Sequence, residues 1–472
     1  MASSFGGINT ALTSLYAQRR GLDLAGQNIA NANTEGYSRQ RATMQSETGA
    51  TVSAFWARAD GLGAGVGVSG VQRLRDDSLE ARGRAEHGQS ASFTDQTAAY
   101  SAIEDVFNEP SGTALQAQLH DMWAAWSDVA NNPDSVAARS SLLEKSRTVV
   151  SVLHANDDAL AGRWSTTRSQ LEGYADEVNT TASTIAELNG NIVRAISSGS
   201  SANELLDRRD LQVMHLAELA GVTTSKRPNG AVDVFIGGSA LVTEFNTNEI
   251  EVTGATRLAD QAGNPVTVGW KGMGFTAPPG GTMGSMVNTM TTIIPGLSSD
   301  LDDVAAALSS TVNSAHLTGF GLDGVSNRPF FSGTTAATIE VAITNSAQVA
   351  ASATAGPGAA LGVPGPVQTF DGSVADQLSD GGTSNSGPDK TYQDMIAQLG
   401  VSAQTSARRA DIQSNLAEQV DAAREGESGV NIDEEMTNLL TFQRGYEAAS
   451  RLLTTVDSML DQIINRTGLV GR

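Results

Sequence analysis

The chain has 472 residues, 40% of them apolar but only 5% aromatic, which admits about two to four domains with real cores. A formal charge of −22 disfavours nucleic acid and anionic membranes as partners. The absence of cysteine rules out disulfides and thiolate metal sites.

No apolar run approaches the roughly 20 residues that span a bilayer. The first cation after the amino terminus is Arg19, so a cleaved signal peptide is not expected. Two settings fit: a cytosolic protein, or export by a route without signal cleavage.

In chain order, Ile8, Leu15, Leu22 and Ile29 recur every seven residues beside Ala11, Leu12 and Ala25. They predict a helix with a narrow apolar stripe. It ends at "NIANANTEGYSRQ" (28–40), which crowds Asn28, Asn31 and Asn33 ahead of Gly36 and Tyr37. Asn and Gly tolerate the left-handed conformation that closes a helix. "GLGAGVGVSGV" (61–71) lacks the Gly-Lys-Ser/Thr of a phosphate loop, and Val66, Val68 and Val71 predict a small β-hairpin near 61–73.

Residues 93–130, 134–161 and 165–197 read as helices, with a break at "NNPD" (131–134). Ser201 and Glu204 predict a capping box before another helix. From Val222 to Phe275, "AVDVFI", "ALVTEF", "EIEVTG" and "PVTVGW" alternate between turn-forming clusters and predict antiparallel strands. Residues 284–318 and 391–425 are helical, and 355–390, rich in Gly, Pro, Ser and Asp, reads as a loop or linker.

The far end mirrors the start. Ile432, Met436, Leu439, Phe442, Tyr446, Ala449, Leu453, Val456, Leu460 and Ile463 step by three and four. Asn431 is the expected N-cap, Glu434 holds the capping-box position, and Asp433, Glu434 and Glu435 load the first turn with charge that suits the helix dipole.

Nothing in this pattern marks an enzyme. His87, His120, His154, His215 and His316 lie far apart and read as surface or packed residues. The carboxylates at 433–435 point about 100° apart around a helix and cannot converge. No nucleophile motif appears, so no catalytic, cofactor or metal site is expected. The terminal stripes carry more. In an ordinary domain such a face packs on the local core, but these are narrow, sit at the extreme ends, and lie on helices that are marginal alone. They are expected to zip against each other and against copies of the chain, as in a structural assembly protein.

"NIANANTEGYSRQ" resembles the amino-terminal signature of the bacterial flagellar axial proteins, those of rod, hook and junction. "GVGVSGVQRLRDDSL" (65–79) is similar to the stretch that follows it. "NNPDSVAARSSLLEKSRTVV", "NELLDRRD" and "GFGLDGVSNRPFF" (319–331) resemble interior motifs of the junction members, although Leu322 precedes the Asp here. "SGVNIDEEMTNLLTFQRGYEAASRLLTTVDSMLDQIIN" resembles their carboxyl-terminal helix.

The resemblance implies a mainly α fold with a β insertion. Its parts would be a discontinuous terminal coiled-coil assembly domain (1–40 and 426–472), a rod-like, mainly helical middle domain (41–221 and 284–425) and a small outer antiparallel β domain (222–283). It implies a structural role between hook and filament, self-assembly, hook protein and a second junction protein as partners, and an export chaperone on the last helix. It implies an extracellular location reached by type III export. A hook or rod protein, or a secreted adhesin or enzyme on a helical stalk, remains the alternative. The role of "RTGLVGR" after Asn465 stays unassigned.

Overall fold

A computed structural model describes residues 4–47, 63–355, 371–462 and 464. Its first and last helices lie side by side. Helix α1 (Ser4–Ala30) and helix α10 (Ile432–Asp461) run antiparallel. Position 7 meets 456, 21 meets 442 and 28 meets 435, so each step forward on α1 matches an equal step back on α10. α1 stops where the Asn31 amide caps the Gln27 carbonyl at 2.9 Å and Gly36 takes φ +76°, the left-handed geometry that glycine tolerates.

The chain then enters an antiparallel ribbon of β1 (Gln40–Glu47) and β2 (Gly65–Arg73), paired from Gln40↔Arg73 to Glu47↔Gly65. This corrects the expected hairpin within 61–73. The Gly/Val run is one strand, and its partner is the segment that follows the Asn-rich turn. Gly65 at the start of β2 lies against α1, where a Cβ would meet Thr10 and Thr13.

Two helical expectations also change. The helix expected over 93–130 is α2 (Asp77–Phe107) and α3 (Leu115–Asn131). Pro110, which lacks an N–H, falls in the gap after Asn108 closes α2 at φ +48°. Conversely, 134–161 and 165–197 are one helix, α4 (Val136–Ser197), 62 residues and about 90 Å long. Gly162 is a weak helix former, but fully buried Leu153 and Leu160 before it and Trp164, Leu171, Val178, Ile185 and Ile192 after it anchor the helix on both sides. Packing outweighs local propensity there. α5 (Asn203–Ala220) follows without the expected capping box: its N-cap is Ala202, and Ser201 accepts no helix N–H.

The β region forms as expected. β3 (Thr223–Lys226), β4 (Val232–Ile236), β5 (Ser239–Thr243) and β6 (Asn246–Thr247) make one sheet, and β7 (Ile250–Thr253) pairs with β8 (Thr267–Trp270). Two amides on α4 hold these strands by imitating a neighbouring strand. Asn179 donates to the Ile250 carbonyl and accepts its N–H, both at 2.9 Å. Asn189 does the same for Val232 at 2.8 and 3.1 Å. The insertion leaves and rejoins at one place, where Gly280 N–H donates to the Ala220 carbonyl at 2.8 Å.

α6 (Gly281–Asn288) passes through a π turn (Thr289–Ile293) into α7 (Ile294–His316). The freed Met290 carbonyl accepts the buried Trp164 indole N–H at 2.9 Å. A short pair, β9 (Phe331–Ser332) and β10 (Glu340–Val341), follows. Of the expected 355–390 linker, 356–370 lie outside the described residues. The remainder is more ordered than its composition predicts, with α8 (Ser373–Ser379) and the start of α9 (Pro388–Ser428). α9 returns along α2 and delivers the chain to α10. One continuous apolar core joins α3, α4, α5, α7, α8, α9 and the sheet. No helix is long and apolar enough to cross a membrane among the described residues.

Candidate assembly interface

The α1–α10 contact is built from small residues. A Cβ at Gly21 would lie 2.7 Å from the Phe442 ring, and one at Gly445 would lie 2.7 Å from the Gln18 amide. Ala11, Ala25 and Ala449 are buried along the pair. The helices therefore approach closely and bury little area per residue. Ala17 and Leu24 of α1 are buried too, and Ala17 borders the same cleft as Val66, Val68 and Val71 of β2.

The Asn-rich turn is locked at the C-terminal end of α1. Asn28 is 1% exposed and uses its whole amide. Its Nδ2 donates to the Gln40 carbonyl at 2.9 Å and to Glu435 at 3.1 Å. Its Oδ1 accepts from the Tyr37 hydroxyl at 2.8 Å and from Gln40 N–H at 3.1 Å. Burial, with Asp207 and Glu435 nearby, pushes the Tyr37 phenol up to about 12, so the hydroxyl stays a donor.

The next three residues reach out to α5, α9 and α10. Ser38 donates its hydroxyl to Asp207 of α5 at 2.8 Å. Arg39 reaches Glu435 at 2.7 Å and Glu434 at 2.8 Å on α10, while its N–H bonds the Ser428 carbonyl of α9 at 2.9 Å. Gln40 accepts from Asn203 of α5 at 2.9 Å. "NTEGYSRQ" is thus the clasp that fixes both terminal helices to the middle of the molecule.

Behind it lies a mostly buried charge network. Arg73 pairs with Asp207 at 2.7 Å and Asp210 at 3.0 Å, and Arg75 pairs with Asp210 at 2.6 Å and Glu80 at 3.1 Å. Arg424 also holds Glu80 at 3.1 Å. Burial acts to raise the Asp210 carboxyl, but Arg73, Arg209 and Arg75 outweigh it and hold the group below its usual range.

The structure separates the sequence-predicted residues into groups. Ile8, Leu15, Leu22 and Ile29 on α1, with Leu439, Phe442, Leu453, Val456 and Leu460 on α10, are half-buried. Leu453 lies five turns from Glu435 and shares the face that meets α1. Leu12, Ile432, Met436 and Tyr446 are exposed instead, Met436 at 47%. Asn31 bonds only locally, Asn33 is exposed, and Ile463 lies outside the described residues. Asn431 caps α10 as expected, accepting from Asp433 and Glu434 N–H. Glu434 does not complete a capping box, because Arg39 takes its carboxylate.

Sequence reasoning missed Glu435, 3% exposed, having read it only as a charge on the helix dipole. It also missed Arg39 and Asp207, Gly21 and Gly445, and the exposed Tyr16, Leu440, Leu452 and Met459. The i, i+4 steps Ile432–Met436–Leu440 and Leu12–Tyr16 were the available signal. No group of three His, Asp or Glu is placed to hold a metal among the described residues.

Known proteins match the same three parts of the chain. Residues 100–331 match the model of the flagellar hook-associated protein FlgK helical domain. Residues 8–37 match that of the flagella basal body rod protein, and 426–466 that of the flagellar basal body rod FlgEFG protein C-terminal. Flagellar hook-associated protein 1 of Bacillus subtilis is 26% identical over the full length of both chains. That of Escherichia coli is 27% identical, over 69% of this chain and 59% of its own. The solved flagellar hook junction protein FlgK of Burkholderia pseudomallei shares the fold, with a TM-score of 0.59 and 16% identity over 74% of this chain and 100% of its own. Clasp, helical body and terminal pair point the same way: the chain belongs to the flagellar hook-associated protein 1 family of the bacterial flagellar axial proteins.

Proposed function

We propose that this chain builds the junction between hook and filament by stacking through its paired terminal helices. The observation that carries this reading is the apolar surface left outside the α1–α10 contact. Leu12 and Tyr16 on α1, and Ile432, Met436, Leu440, Leu452 and Met459 on α10, stay exposed although both helices already have a partner. Such surface on a soluble chain marks an interaction site. Small residues set the distance within the pair, and large ones face outward to neighbouring copies.

In this reading the protein is structural rather than catalytic and needs no cofactor. It leaves the cell unfolded through the flagellar export channel without signal cleavage, attended by a chaperone on the α10 segment. It then seats on hook protein and receives the second junction protein.

The test uses a strain lacking its own junction protein, complemented with this gene. Filaments should return, and immunogold should label the hook–filament boundary. Label elsewhere on the flagellum, or at no flagellum, sinks the reading.

A further inference from the structure

Arg84, on α2, is the one arginine among the described residues that is neither exposed nor hydrogen-bonded or ion-paired. Its isolation follows from its neighbours. Four residues back on the helix, Glu80 would be its ordinary partner. Both Glu80 oxygens are already taken, by Arg424 at 3.2 and 3.1 Å and by Arg75 at 3.1 Å. Three residues on, His87 is held between Asp421 at 2.7 Å and Glu218 at 3.4 Å. Four residues on is Gly88, where a Cβ would lie 2.6 Å from the Ala217 carbonyl oxygen, so no side chain fits. Asp207 and Asp210 are engaged by Arg73 and Arg75.

Arg84 instead lines a cavity of about 400 Å³ with Arg73, Arg75, Lys226 and Asn203, and with the already paired carboxylates of Asp77, Glu80 and Asp210. Asp77 there already pairs with Lys226. Burial pushes the Arg84 guanidinium down from its usual range against the opposing pull of Glu80 and Asp210, neither of which it hydrogen-bonds. A guanidinium fork matches a carboxylate with two parallel bonds.

We propose that this cavity is a receptor for a carboxylate side chain of a neighbouring subunit, with Arg84 as the group that grips it. The inference rests on the assembly reading above. Two observations favour a copy of this chain as the source. The chain is rich in the matching group, with 52 acidic against 30 basic residues. The cavity also opens beside β2, the strand that flanks α1.

Two measurements test the proposal. First, the melting temperature of the purified full chain is followed in sodium acetate against sodium chloride at equal ionic strength. Acetate should raise it with the logarithm of concentration in the wild type and in the exposed control Arg408→Gln, but not in Arg84→Gln. An equal response in all three proteins removes the site.

Second, Arg84→Gln and Arg84→Glu are put into the complemented strain after their melting and export are checked. Both should be exported, yet filament number should fall at least tenfold, more steeply for Arg84→Glu. If Arg84→Glu fails to fold, Arg84→Gln alone decides. Normal filaments with an Arg84-dependent acetate response would make the cavity a site for a free anion and overturn the subunit source. If the wild-type gene itself restores no filaments, the assembly reading has failed, and the acetate measurement still judges the cavity.

Discussion

Asn28 shows how much one buried amide can organise. Its four bonds join α1, the turn, β1 and α10, and no other residue type supplies two donors and a doubly accepting oxygen in that shape. Asn28→Ala should lower stability by about 3 kcal/mol, since Tyr37, Gln40 and Glu435 all lose a partner out of reach of water. Hydrogen exchange should show faster opening at both helix ends. Asn28→Asp should be worse at neutral pH, because it sets a carboxylate against Glu435, and should recover as the solution is acidified.

His316 gives a second prediction at this scale. Its Nδ1 lies 2.8 Å from the Arg328 carbonyl and its Nε2 2.9 Å from Ala350 N–H, which requires the neutral ring with the proton on Nδ1. Burial, with Arg139 and Arg328 nearby, holds its pKa down to about 4. The unfolded ring titrates near 6.5 and so binds the proton first. Stability should therefore be intact above pH 6.5 and fall between there and pH 4, by up to about 3 kcal/mol. Urea midpoints across that window check the sign, and His316→Gln should flatten the slope.

At the scale of elements, the sequence announced stripes and stops better than partners. The Asn31–Gly36 stop, the Asn431 cap and the alternating strands are local events, written in adjacent residues. The close approach at Gly21 and Gly445 is not, because glycine carries no apolar signal and its meaning depends on the facing helix. Nor was the unbroken α4 legible, since Gly162 argues locally for a break and only the distant core overrules it.

Gly21→Val should force the Phe442 ring away and cost about 1–3 kcal/mol. Its measurable signature would be loss of protection in α1 and α10 with α4 unchanged. Replacing 222–279 by a short linker is geometrically easy, because residues 220 and 280 already touch. It would nevertheless uncover Val178, Ile185 and Ile192 and strand Asn179 and Asn189. We expect a lower, broader melting transition and a circular dichroism loss larger than the removed strands explain.

At the scale of the whole molecule, the clasp and the outer surface are separable. Met436 and Leu440 are about half exposed, and their apolar side chains take no part in the Asn28 hydrogen-bond network. Met436→Asp and Leu440→Asp should leave monomer melting unchanged within about 0.5 kcal/mol. In cells they should still be exported and yet abolish filaments, with filament subunits shed into the medium. Normal filaments on such cells would show that this flank is not an assembly surface. Leu453→Asp is a poorer probe, because its face meets α1 within the same chain and would disturb the monomer too.

The pairing of the two chain ends has one more consequence, and it concerns time. Asn28 and Glu435 are separated by 407 residues, so their bond closes nearly the longest loop the chain can make. Long-range closures are entropically costly and come late in folding. A polypeptide still emerging, from a ribosome or a channel, holds α1 without α10, and a chain cut short never gains it. The paired helices, and the apolar flank they carry together, therefore form only on molecules that include both ends.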